Sequence, residues 1–107
     1  MSITAKSLAD GQLPSSKGTL YTVPAATKAY IKFFSLHNTS ATPQTVKVYI
    51  KRSGGTSRQV DMGQLDQGET GLIVETGSWE LSTGDIIEGE TTTVAVVDYQ
   101  ILGAEEA

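Results

Sequence analysis

The chain has 107 residues, no cysteine, 38 % hydrophobic residues and a net charge of −4. That length makes one domain, able to hide roughly two-thirds of its unfolded surface, and that composition argues against wholesale disorder. Disulfides and thiolate metal sites are excluded, no apolar run reaches the roughly 20 residues of a membrane-crossing helix, and the first six residues lack the apolar stretch of a signal peptide, so the expectation is synthesis in the cytoplasm.

Residues 1–17 read as an extended N-terminal arm and residues 18–107 as a β-sandwich domain. In the arm, Asp10-Gly11, Pro14 and Ser15-Ser16 are turn or breaker signals close together. Ile3, Leu8 and Leu13 are apolar but too sparse to bury one another. Such a segment gains order against another surface, most simply by adding a strand to a neighbour's open sheet edge. The alternative is that it folds back as an edge strand of its own sandwich.

Beyond Gly18 the turn signals come at short, regular spacing. Thr19 to Val23 is a strand that stops at Pro24. Lys28 to Asn38 is a long strand with apolar residues on both faces: Tyr30, Lys32, Phe34 and Leu36 on one, Ile31, Phe33, Ser35 and His37 on the other. Asn38 to Pro43 turns. Gln44 to Arg52 alternates cleanly, with Val46, Val48 and Ile50 inward and Thr45, Lys47, Tyr49 and Lys51 outward. Ser53-Gly54-Gly55-Thr56 closes a hairpin onto Ser57–Met62. Thr70–Glu75 is a strand broken at Gly77-Ser78, Trp79–Leu81 follows, and Ser82–Asp85 turns into a short strand, Ile86–Glu88. Gly89-Glu90 reads as a turn, Thr92–Leu102 as a last strand centred on Val94, Val96 and Val97, and Gly103–Ala107 as an acidic tail. These elements number about eight, and no stretch keeps a helical period with a cap. The expected fold class is all-β: an antiparallel β-sandwich or jelly roll, with a closed barrel as the nearest alternative. Its core should hold Val46, Val48, Ile50, Leu72, Val74, Leu81, Ile86, Val94 and Val96.

Charge is divided along the chain. All eight basic residues lie between Lys6 and Arg58, where the one acid is Asp10, and from Gln59 onward there are eleven acids and no Lys or Arg. Either strands of the two parts alternate, making opposite charges cross-strand neighbours, or the charges separate into poles that orient docking.

No pattern of catalytic residues is present, and the expectation is a protein that is not an enzyme and carries neither cofactor nor metal. His37 is the one histidine, and no nucleophile motif accompanies it. The acids read as solvated face residues, and Asp85 as a turn residue that bonds nearby backbone N–H groups. Gly54-Gly55 lacks the Lys-Ser/Thr of a phosphate loop. Lys47, Lys51, Arg52 and Arg58 gather round the hairpin beside Tyr49. In an acidic chain without a nucleic-acid motif they read as edge-protecting charges, so the expectation is neither nucleic acid nor membrane as partner. Trp79 reads as core. The candidate partner-contacting residues are Ile3, Leu8, Leu13, Tyr21, Lys47, Lys51, Arg52 and Arg58.

Several of these signatures occur together in a known setting. Gly18-Thr19-Leu20-Tyr21-Thr22-Val23-Pro24-Ala25, the strand ending Leu36-His37-Asn38-Thr39-Ser40, the Val-x-Val strand with its hairpin, Gln67-Gly68-Glu69-Thr70 and Leu81-Ser82-Thr83-Gly84-Asp85-Ile86-Ile87-Glu88-Gly89 resemble small β-sandwich virion structural proteins of tailed bacteriophages. The resemblance runs from about Gly18 to Gly103 and leaves the arm uncovered. It implies a capsid decoration (cement) protein on the outside of the head, oligomeric and bound to the major capsid protein or another virion protein. The alternative it implies is a tail, collar or fibre component, with Trp79 or Tyr21 as stacking residues for a host glycan. It supplies no active site to carry over.

Overall fold

The computed structural model describes residues 3–74 and 79–107, which form nine strands and no helix. In chain order these are β1 (Ile3–Gln12), β2 (Gly18–Thr22), β3 (Lys28–Asn38), β4 (Gln44–Lys51), β5 (Ser57–Leu65), β6 (Thr70–Val74), β7 (Trp79–Ser82), β8 (Ile86–Thr91) and β9 (Val97–Glu106). They make two antiparallel sheets. Sheet A runs β1-β9-β3-β6, with β7 also on β3, and sheet B runs β2-β8-β4-β5.

The order follows one rule. β6 and β7 lie along β3, opposite residues 34–37 and 28–31 respectively. Counted as one edge strand in two pieces, they leave four nested antiparallel pairs: β1 with β9, β2 with β8, β3 with β6 and β7, and β4 with β5. This is a long hairpin, rolled until β9 also meets β3 and β8 also meets β4. The result is a jelly roll, a two-layer sandwich closed around one core. Leu13, Ile31, Phe34, Leu36, Val48, Leu81, Ile87, Val97 and Ile101 are fully buried between the layers.

The nesting decides the arrangement of charge. Each early strand lies beside a late one, so the basic and acidic parts of the chain interleave. All four ion pairs found among the described residues join a base from the first part to an acid from the second: Lys6–Glu105, Lys28–Glu80, Lys47–Glu90 and Arg52–Asp85.

Residues 3–12 do not extend away from the domain. They pair along β9 as an edge strand of their own sheet, and Leu13 is wholly buried. One side of the β1 backbone is paired at home because β9 continues through Glu106, and the segment expected to be an acidic tail becomes its partner. Of the arm's apolar residues, Leu13 belongs to the core, Leu8 is half-buried against it, and Ile3 is 65 % exposed.

Register shifts explain where alternation in the sequence misleads. β3 carries Lys32 as an extra residue between Ile31 and Phe33, opposite consecutive residues of β9. Its inward set is therefore Ala29 and Ile31, then Phe34, Leu36 and Asn38. Gly103 sits beside this bulge, where a Cβ would overlap the Tyr30 carbonyl oxygen. Further bulges fall on Leu8 of β1, Leu20 of β2, Val60 of β5 and Ile73 of β6. Each of these four strands lies at a sheet edge, where a bulge twists the free backbone groups out of line for pairing with another chain.

The bulge at Ile73 turns Leu72 outward and leaves it 44 % exposed while Val74 points in, so Leu72 is not a core residue. Val94 is not core either: residues 92–96 form a turn in which Ala95 takes φ 65°, and the last strand begins at Val97. Ile50, Ile86 and Val96 are half-buried, and Val46, Val48, Val74 and Leu81 are buried as expected. Gly89 and Glu90 continue β8 to Thr91 without turning, because Gly18 and Val48 pair on either side of Gly89. The break at Gly77-Ser78 lies outside the described residues.

Buried polar side chains fasten both ends of the roll. At one end the Asn38 amide donates to the carbonyls of Thr42 and Leu65, while its oxygen accepts from the Ser40 N–H and hydroxyl. At the other end Asp85 accepts from the backbone N–H of Ser53 and of Ser82 and from Arg52, all at 2.9 Å. Asp85 thus ties the β4–β5 hairpin to the turn before β8. Burial pushes its carboxyl up, but these donors together outweigh burial and hold it below the ordinary aspartate range.

Candidate interaction surface

The eight candidate partner-contacting residues do not form one patch. Leu13 and Tyr21 are in the core and cannot meet a partner. Tyr21 follows the extra residue Leu20, so both of these consecutive side chains turn inward. Its hydroxyl crosses to sheet A and donates to Glu105 at 2.6 Å, while Lys6 binds the other Glu105 oxygen at 2.8 Å. Burial first, then the Glu105 hydrogen bond and charge, push the Tyr21 phenol far above its usual value, and the Lys6 and Tyr21 donors hold Glu105 below its own. This cluster joins the two layers and is structural. Lys47 and Lys51 lie on the outside of sheet B, Arg52 and Arg58 flank the hairpin beyond it, Ile3 lies at the far end of sheet A, and Leu8 packs against the core.

Directly opposed residues of an antiparallel pair share a face, so register and burial define both outer surfaces. The outside of sheet B is laced with polar contacts. Across its middle run Thr19, Glu88, Tyr49 and Gln59, followed by Glu90, Lys47 and Met62. Tyr49 donates to Glu90 at 3.2 Å, Ser57 to Glu88 at 2.6 Å, and the Lys17 ammonium stands 4.7 Å from the centre of the Tyr49 ring. The basic cluster round the hairpin is thereby divided: Lys47 faces Glu90, Arg52 faces Asp85, and Tyr49 is covered by Lys17.

The outside of sheet A is different. Its first rows are polar: Gln12, Asp98, His37 and Thr70, then Asp10, Gln100 and Ser35, ending on Leu72. His37 Nδ1 and the Thr70 hydroxyl are 2.7 Å apart, and Gln12 donates to Asp98. The next rows are mainly apolar: Ser7, Leu102 and Phe33, with the exposed bulge residue Lys32 beside them, then Ala5, Ala104 and Tyr30. Lys28, Glu80 and Glu106 close the far end, with Tyr30 donating to Glu106 and Lys28 to Glu80. An apolar band with Phe33 and Leu102 at its centre and Leu72 at its margin thus lies inside a polar rim. An apolar centre inside a polar rim is an arrangement also found on surfaces that other proteins cover.

Sequence reasoning missed this band because it read Phe33 and Leu72 on single alternating faces. The signal was present as two strands apolar on both sides, Lys28–Asn38 and the stretch ending Ile101-Leu102. Trp79 is half-buried, with its ring edge-on to Phe34 at 6.3 Å. Neither Trp79 nor the buried Tyr21 lies on the apolar band. Among the described residues, no group of three or more His, Asp or Glu side chains could hold a metal ion, and no helix is long and apolar enough to cross a membrane. No protein-family model matches the chain, and a search of curated proteins finds no match to it.

Proposed function

We propose that this protein is a structural component of a tailed-bacteriophage virion that works by docking, most simply a decoration protein on the outside of the head, present as a homo-oligomer, that clamps joints between coat subunits. The turn and strand signatures from Gly18 to Gly103 supply the setting. The observation that carries the mode of action is the apolar band on the outside of sheet A, Phe33 and Leu102 flanked by Tyr30, Ala104 and Leu72. A partner that covers this band removes apolar area from water at about 25 cal/mol per Å². The bulges on β1, β2, β5 and β6 disfavour strand addition at those edges, so the contact is made by a face. A clamp that binds assembled coat subunits and not separated ones stabilises the assembled shell by mass action. Its action is binding and not catalysis.

The test is co-sedimentation of the purified protein with heads of the phage whose genome encodes it, prepared without this chain. Saturable binding is expected, with loss on Leu72→Glu or Leu102→Glu and retention on Gln59→Glu, which lies on the outside of sheet B. Failure to bind heads would overturn the head assignment. Binding unaffected by both leucine variants would overturn the role of the sheet A face.

A further inference from the structure

The β4–β5 hairpin carries a second feature that the outer face of sheet A does not use. A cleft of about 340 Å³ opens along it, lined by Ile50, Arg52, Gly55, Thr56, Arg58 and Val60. The size falls at the lower end of the range for sites that hold small organic groups. Ile50 and Arg58 are directly opposed across the hairpin, and the bulge at Val60 brings an apolar side chain, 44 % exposed, to the same cleft. The turn is fixed by the Gly55 N–H to Arg52 carbonyl bond and by Gly54 at φ 75°.

The two guanidinium groups differ in how they are held. Arg52 is positioned by its Nη1 alone, which donates to the Asp85 carboxylate at 2.9 Å and to the Glu80 carbonyl at 3.3 Å. Among the described residues its Nε–H and both Nη2–H donors have no acceptor, and the Arg52 side chain remains 59 % exposed. Arg58 makes neither an ion pair nor a side-chain hydrogen bond among the described residues, in a chain whose net charge is −4. One cation is pre-oriented, the other has no ion-pair partner among the described residues, and both stand beside an apolar floor.

We propose that this cleft is a docking site for a carboxylate side chain, an Asp or Glu that a partner protein presents next to an apolar residue. Planar guanidinium forks match a carboxylate through paired N–H···O bonds. The anchored Arg52 loses little freedom on binding, and the apolar Ile50 and Val60 both take the neighbouring side chain and strengthen the charge contact by excluding water. The site lies on the hairpin of sheet B, so it stands or fails independently of the virion assignment.

The experiment is a titration of the isotope-labelled full chain, followed by the amide signals of Gly55 and Thr56 and the Nε–H signal of Arg58. The probes are the blocked dipeptide Leu-Glu, its neutral counterpart Leu-Gln, and inorganic phosphate. Saturable shifts with Leu-Glu and none with Leu-Gln are expected. Arg58→Ala should weaken Leu-Glu binding about tenfold, the loss of one charge-assisted contact, and Arg58→Lys should retain part of it. Thermal unfolding of both variants should match the parent, since Arg58 is exposed. Equal shifts with Leu-Gln, no saturation with Leu-Glu, unchanged binding in Arg58→Ala, or tighter binding of phosphate than of Leu-Glu would each overturn the proposal.

Discussion

Sheet A and sheet B both set strands from the basic part of the chain beside strands from the acidic part, yet their outer faces differ. On sheet B the outward positions of β4 and β8 alternate Lys47, Tyr49 and Lys51 with Glu88 and Glu90, and each apolar outward residue is separated from the next by a charge. On sheet A the outward positions of β3 and β9 place Phe33 next to Leu102 and Tyr30 next to Ala104. Apart from the divided edge of sheet A, the strands nest in the same way, so topology does not make the difference. It comes from two central strands that are apolar on both sides, which a sandwich needs on one side only. Surplus apolar surface at the middle of a sheet, where bulged edges discourage strand pairing, is the property expected of a face that another protein covers.

The sharpest way to break the comparison uses two adjacent phenylalanines. Phe34 points between the layers and is completely buried, whereas Phe33 points outward and is half-buried. Phe34→Ala should cost about 3–5 kcal/mol, because it deletes a large core side chain and leaves a cavity. Phe33→Ala should cost about 1 kcal/mol of stability while removing the centre of the proposed docking band. Urea unfolding of both variants, with head binding measured in parallel, separates them. Equal destabilisation by the two substitutions would mean that the two faces of β3 are equally part of the core.

Much of the roll could be read from the residues, and its errors have a common cause. The bounds of β3 and the start of β4 follow from Pro24, Asn38 and Pro43 and from strict alternation after Gln44. Alternation then fails wherever one extra residue enters a strand. The bulges at Lys32 and Ile73 reassign Phe33, Phe34 and Leu72 to faces that a period of two cannot give, and no residue type marks those positions in advance. Of the two readings of residues 1–17, the structure takes the second, an edge strand of its own sandwich, for another reason. Ile3, Leu8 and Leu13 cannot bury one another, but backbone pairing with β9 holds residues 3–12 on the domain and brings Leu8 and Leu13 to its shared core, and that partner was hidden in a segment whose acids read as a tail. The Arg52 and Arg58 cleft was half visible: the residues stood out by charge, while the different restraint on each depends on Asp85 arriving from a distant turn.

An intermediate effect is expected at Asp85, whose bonds join the hairpin of sheet B to the turn that follows β7 of sheet A. Asp85→Ala leaves the Ser53 and Ser82 N–H groups without their acceptor and should cost about 2–3 kcal/mol. The sign of the pH dependence follows from the lowered carboxyls of Asp85 and Glu105. A carboxyl that is more acidic folded than unfolded contributes its full stabilisation above its unfolded value, roughly 3.9 for Asp and 4.3 for Glu. That contribution is lost as pH falls through the lower, folded value. Stability should therefore decline from about pH 5 downward, and Asp85→Asn should flatten the slope. A parent whose unfolding midpoint is level from pH 6 to pH 2.5 would contradict the assignment of both groups as structural carboxylates.

The smallest effect is expected from the charges that lace the outside of sheet B. Lys47 and Glu90 approach to 3.8 Å with side chains 38 % and 25 % exposed. An exposed pair of this kind is worth less than about 1 kcal/mol, because water and salt screen the attraction and ordering two long side chains opposes it. A double-mutant cycle of Lys47→Ala and Glu90→Ala should give a coupling in that range, and raising salt from 0.05 to 0.5 M should scarcely move the unfolding midpoint. The same change of salt acts differently on the Arg52 and Arg58 cleft, where Arg58 has no ion-pair partner among the described residues and an incoming carboxylate must compete with chloride. Leu-Glu binding should weaken over this range while stability stays level. If stability instead falls steeply with salt, the interleaved charges hold the roll together, and the two faces differ less than their side chains indicate. If neither quantity changes, the cleft contact is not electrostatic, and the outward charges of sheet B serve only to keep that face wet.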